Sequence, residues 1–120
     1  MQSDFRVETH TTDRVTTVTV TGELDLVSSP TFETELERAI DSDCDVIVVD
    51  FRSLDFMDST GLHVLIKGHH RALESKRVFA VTRGSDQVDR LLTLTGLADV
   101  MRIVDSPEHA LETGHAPDGP

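Results

Sequence analysis

Val46-Ile47-Val48-Val49 is an unbroken apolar run, β-branched throughout and only four residues long. A run of that kind suits a strand covered on both faces, because a half-exposed strand would alternate apolar and polar positions. Val78-Phe79-Ala80-Val81 repeats the pattern. Between and around the two runs the apolar period changes to that of a helix. Phe32, Leu36, Ala39 and Ile40 make one stripe, Leu62, Leu65, Ile66, His69 and Leu73 a second, and Val88, Leu91 and Leu92 a third. Buried strands alternating with helices of this length predict an α/β domain, with a largely parallel or mixed sheet carrying helices.

The remaining elements follow from local chemistry. Phe5–Thr9 and Arg14–Thr21 are rich in Val and Thr, and the polar stretch His10–Asp13 between them predicts a hairpin. Gly22-Glu23-Leu24-Asp25 is expected to break the second strand, and Ser28-Ser29-Pro30 to start a helix, since Ser caps and Pro suits the first turn. Residues 50–58 read as a loop. Ser85 or Asp86 can cap the third helix and Gly96 can stop it. A last strand is expected at Met101–Val104 and a short helix near Pro107–Glu112. The order is β-β-α-β-α-β-α-β-α, a mixed sheet of four to five strands with about four helices packed on it. One domain is expected over residues 1–113, with a disordered tail at 114–120, because single cores occupy about 100–150 residues. Glu33, Glu35 and Glu37 are assigned to a solvated outer face of the first helix.

Charge and cysteine content narrow the function. A net charge of −11 repels nucleic-acid phosphates and anionic lipid headgroups, so the expected partner is a protein with a basic or mixed face. Cys44 stands alone, which forbids an intrachain disulfide. The start, Met1-Gln2-Ser3-Asp4, is unlike a signal peptide, and no apolar run approaches the roughly 20 residues of a membrane span. A cytoplasmic protein without membrane insertion is expected.

Leu54-Asp55-Phe56-Met57-Asp58-Ser59-Thr60-Gly61-Leu62 is the most informative segment, where a strand and its loop hand over to a helix. Asp58, Ser59 and Thr60 are all competent N-cap residues, and capping alone is one reading. In the other, Ser59 presents its hydroxyl at an exposed helix N-terminus, where a phosphoryl group meets free N–H groups and the positive end of the dipole. With Asp25, Asp55 and Asp58 on the same side, such a modification would make the patch strongly acidic, a change felt mainly by a partner. Enzymatic readings fare worse. Asp58-Ser59-Thr60-Gly61 has one residue too many for the Asp-Thr/Ser-Gly of an aspartic protease. His63 could approach Ser59 as a base, but so small a domain offers no deep substrate pocket. His69 and His70 are adjacent and face different ways, unlike metal-binding pairs at i, i+4. No Gly-x-x-x-x-Gly-Lys loop is present. Catalytic residues, metal ligands and cofactors are therefore not expected.

Phe56-Met57-Asp58-Ser59-Thr60-Gly61-Leu62 resembles the signature of the STAS-domain anti-sigma factor antagonist family. Thr21-Gly22-Glu23-Leu24-Asp25 is similar to that family's Gly-Glu-Leu/Ile-Asp element, and Val88-Asp89-Arg90-Leu91-Leu92 with Thr95-Gly96-Leu97 to its third helix and Gly-Leu stop. The resemblance implies the STAS fold and a binding module rather than an enzyme. The unphosphorylated form would bind an anti-sigma factor, a small ATP-binding serine kinase, and so release a sigma factor. Phosphorylation of Ser59 would switch binding off, and a PP2C-type serine phosphatase would reset it. Asp25, Asp58, Ser59, Thr60, Gly61 and His63 would form the partner surface. Where the family often has glycine after its Gly-Leu pair, this chain has His63, a bulkier and titratable neighbour for the switch. Weak homodimerisation is left open. The alternative job for the same fold is a stand-alone STAS subunit of a membrane transport complex, in which Ser59 is a helix cap or a contact residue.

Overall fold

A computed structural model describes residues 4–113. Two strands open the chain, β1 (Arg6–Thr12) and β2 (Val15–Leu24), followed by α1 (Ser29–Asp41), β3 (Val46–Asp50), β4 (Leu54–Met57) and α2 (Ser59–Glu74). Then come β5 (Val78–Thr82), α3 (Asp86–Leu94), the one-turn α4 (Leu97–Val100), β6 (Arg102–Val104) and α5 (Pro107–Thr113). The sheet has six strands in the order β1-β2-β3-β5-β6, with β4 pairing the far end of β2. Only β1 is antiparallel, so the sheet is mixed.

The parallel strands advance in one direction across the sheet, so each crossover returns on the same side. Phe32, Leu36 and Ile40 of α1, Leu62 and Leu65 of α2, and Val88 and Leu92 of α3 pack on Val18, Val20, Ile47, Val49, Phe79 and Val81. The opposite face carries Val46, Val48, Ala80 and Val104, covered by Ala110 of α5. This two-sided cover is why the 46–49 run lacks alternation: all five residues of β3 are buried.

Several local expectations are corrected. The hairpin turn is Asp13-Arg14 rather than 10–13, with φ of 53° and 66°, the left-handed pair of a tight two-residue connection. Arg14 is held there by Asp43 and Asp45 at 3.1 and 2.9 Å. Gly22 does not end its strand. At φ 101° it marks a register shift, and a Cβ there would stand 2.9 Å from the Phe5 Cα, so the strand continues to Leu24. Residues 50–58 are not all loop, because 54–57 form β4. Its Leu54 and Met57 are buried while Asp55 and Phe56 are exposed, a pattern with no strand period. Ser28 precedes α1 without capping it through its side chain. Glu33 and Glu37 remain partly solvated, but they also reach Lys67 and Arg71 of α2 at 2.5 and 4.0 Å, so the face is shared with the neighbouring helix. Glu35 pairs with Arg38 of its own helix. The expectation for 114–120 lies outside the described residues.

Candidate functional site

The site grows from the point where β4 becomes α2. The Asp58 amide donates to the Leu24 carbonyl at 3.0 Å, tying the junction to the end of β2. Gln87 of α3 grips Met57 from the other side, its Oε1 accepting the Met57 amide and its Nε2 donating to the Met57 carbonyl, both at 2.9 Å. Ser85 caps α3 by accepting the Val88 amide, and its hydroxyl donates to the Asp55 carbonyl at 3.0 Å. The helix start is thus clamped between β2 and α3 before any partner arrives.

Of the three competent caps, Asp58 takes the role. With extended backbone (φ −103°, ψ −172°), its Oδ1 accepts the Thr60 amide at 2.8 Å and the Gly61 amide at 3.4 Å. Ser59 is then the first helical residue, exposed, and its hydroxyl has no hydrogen-bond partner among the described residues. Thr60 is half-buried. Gly61 is buried, and a Cβ there would lie 2.9 Å from the Leu24 Cβ and 3.1 Å from the Met57 Cγ, so its lack of a side chain lets α2 seat against β2. His63 is exposed one turn further along, on the face that carries Ser59.

The turn between β2 and α1 supplies the neighbouring edge. Asp25 Oδ1 accepts the amides of Val27 and Ser28, each at 3.0 Å. The Ser28 hydroxyl donates to the Glu23 carbonyl at 2.7 Å and lies 3.1 Å from Asp25 Oδ1. The Ser28 amide first, then its hydroxyl and the Val27 amide, hold the Asp25 carboxyl below the usual carboxylate range. Asp25 is therefore a turn-former as well as a surface charge. Glu23 and Asp55 are exposed beside it, while Asp25 and Asp58 are half-buried.

All six residues expected on a partner surface thus lie at one end of the sheet, with Gly61 beneath the surface rather than on it. What sequence reasoning missed is apolar. Leu26 and Val27 protrude from the Asp25 turn and Phe56 from β4. The only signal was two branched aliphatic residues inside an Asp-x-x-Ser turn, where polar residues are the norm.

A second polar cluster lies at the ends of β3 and β5. Burial would push Asp50 up, but Arg52, through its side chain, amide and charge, and the Thr82 hydroxyl hold its carboxyl below the usual range. Thr82 Oγ1 also accepts the buried Phe51 amide at 2.8 Å, so the cluster satisfies itself. Among the described residues no three His, Cys, Asp or Glu side chains are placed to hold a metal ion, and no helix is long and apolar enough to cross a membrane.

The family model described as "STAS domain" matches residues 6–110. Over 106 residues the chain is 32% identical to the anti-sigma-B factor antagonist of Staphylococcus aureus, covering 88% of this chain and 97% of that one. It is 35% identical over 96 residues to the anti-sigma F factor antagonist of Paenibacillus polymyxa, covering 78% and 81%. The crystal structure of an anti-sigma factor antagonist from Mycobacterium paratuberculosis superposes with a TM-score of 0.84 at 24% identity, over 92% of this chain and 93% of that one, a likeness of fold.

Proposed function

The chain belongs to the STAS domain family, and on that premise we propose that it is an anti-sigma factor antagonist, a non-enzymatic binding module switched by phosphorylation of Ser59. The unmodified form binds an anti-sigma factor that is also an ATP-dependent serine kinase, the modified form does not, and a PP2C-type phosphatase restores binding. One observation carries the switch: Asp58 caps α2, which leaves the Ser59 hydroxyl exposed and unbonded. A phosphoryl group can be added there without removing any bond the fold uses.

The magnitudes are adequate. Phosphorylation adds about −1.5 to −2 charges at neutral pH, beside Glu23, Asp25, Asp55 and Asp58. A hundredfold loss of affinity needs only about 2.8 kcal/mol, and juxtaposed like charges at an interface cost several kcal/mol.

The test is affinity capture from source-cell lysate with wild-type, Ser59→Ala and Ser59→Asp baits. Titration against the purified captured protein follows, and then incubation of that protein with ATP and the wild-type chain. A kinase that binds wild type and Ser59→Ala, releases Ser59→Asp and phosphorylates Ser59 is the expected result. Equal affinity for all three forms would sink the switch. Thermal melts separate a switch from a structural cap. Ser59→Ala should change stability by no more than about 0.5 kcal/mol, whereas loss of a working cap costs about 0.5–2 kcal/mol.

A further inference from the structure

The β2–α1 turn holds two aliphatic side chains out in solvent, Leu26 at 73% and Val27 at 87% exposure. The turn that carries them is already fixed. Asp25 Oδ1 holds the Val27 and Ser28 amides, the Ser28 hydroxyl holds the Glu23 carbonyl, and the Ser29 amide closes on the Asp25 carbonyl at 2.9 Å. Polar residues would turn the chain as well, so nothing in the fold requires these two. Apolar side chains presented on a preformed backbone lose little entropy on binding, which is how interface anchors work.

Their surroundings connect them to Ser59. The β2–β4 pairing sets Phe56, 38% exposed, beside Glu23, and the Asp58 amide is bonded to the Leu24 carbonyl. Three of the six large exposed hydrophobic residues among those described therefore lie on the two segments, the β2–α1 turn and β4, that adjoin the β2–β4 pairing at the start of α2. The rim is acidic, with Glu23 and Asp55 exposed and Asp25 and Asp58 half-buried. That rim disfavours an anionic lipid surface and favours a protein bearing cations.

We propose that Leu26, Val27 and Phe56 are the apolar anchor of the docking face, and that the partner presents an apolar pocket edged by Lys and Arg. The inference rests on the reading of this end of the molecule as a docking face. It assigns affinity to the aliphatic turn, with Ser59 beside it acting as the gate. Leu94 and Val100, at 76% and 63% exposure, are internal controls, since they sit on the C-terminal end of α3 and on α4 beside β6.

A photo-reactive phenylalanine derivative placed at 26 or 27 in the full chain, and at 94 or 100 as control, tests this in source cells. Adducts to one protein are expected from 26 and 27 but not from 94 and 100, on a partner peptide with apolar residues flanked by Lys or Arg. Against that purified protein, the Leu26→Ser/Val27→Ser double variant should bind about thirtyfold more weakly or worse. Its Tm should match wild type, and Leu94→Ser should bind normally. Absence of an adduct, equal yield at the control positions, adducts to lipid or to a second copy of this chain, or wild-type affinity of the double variant would each overturn the anchor. Ser59→Asp, titrated on the same pair, separates the two ideas. Weak binding by the double variant with normal binding by Ser59→Asp keeps the anchor and discards the switch, and the reverse result discards the anchor alone.

Discussion

His69 shows how one side chain can set an acid limit. Its Nδ1 is buried with no hydrogen-bond partner among the described residues, and its ring lies against Phe79 of β5 and His70, with centroids 5.6 and 5.9 Å away. Burial first, and then the charge of His70, hold its pKa below the ordinary histidine value. The unfolded chain takes up a proton near pH ~6.5 that the folded chain resists, so stability is full above that pH and falls as pH drops through the lower folded value. Asp25 and Asp50 are shifted down from ordinary carboxylate values, so their contributions are lost only in more acidic solution. Urea midpoints measured from pH 7.5 to 5.5 should therefore fall for wild type and fall less for His69→Leu. Parallel curves would show that the slope originates elsewhere. Ser59 is the opposite kind of residue, exposed and with no hydrogen-bond partner among the described residues; its place at the start of a helix was readable from the sequence, whereas which of Asp58, Ser59 and Thr60 takes the cap was not.

At the scale of elements, the seating of α2 decides whether that serine is presented at all. Gly68 lies where α2 crosses α1, and a Cβ there would stand 2.4 Å from Leu36 Cδ2 and 3.1 Å from Leu36 Cγ. Gly68→Ala would gain about 1 kcal/mol of helix propensity, but overpacking costs typically 1–3 kcal/mol. The expected outcome is a lower Tm, by a few degrees, with secondary structure retained in far-UV circular dichroism; a raised Tm would mean that Leu36 rotates aside freely. The ion pairs flanking this contact, Lys67–Glu33 and Arg71–Asp41, are solvent-exposed and contribute little. The helical stripes of α1 and α2 were readable because their period persists over more than three turns, and the shorter α3 because Ser85 caps it and Gly96 follows its end. The strand β4 was not, since four residues without alternation carry no signal and its existence depends on Gly22–Leu24, about 30 positions away in the chain.

For the molecule as a whole, the net charge of −11 has two consequences of opposite sense. Self-repulsion opposes compaction, whereas attraction to a basic partner speeds encounter, and salt screens both. Raising NaCl from about 0.05 to 0.5 M should raise the Tm of the isolated chain and slow its association with the captured partner. Dissociation should change less if the proposed contact through Leu26 and Val27 holds the complex, because apolar contacts are insensitive to screening. An association rate independent of salt would remove the acidic rim from the recognition step.

The residues alone determined the α/β class, the number and order of the helices α1 to α3 and the candidate switch at Ser59. They did so because burial on two faces, helical period and cap chemistry are local properties. Tertiary structure alone decided that Asp58 rather than Ser59 caps α2, that 54–57 join β2, that Glu33 and Glu37 meet cations of α2, and that Leu26 and Val27 stand exposed on the turn after the strand end that bonds Asp58. Each of those depends on which segments pack together, and a partner supplied by a distant stretch of chain leaves no mark in the local pattern.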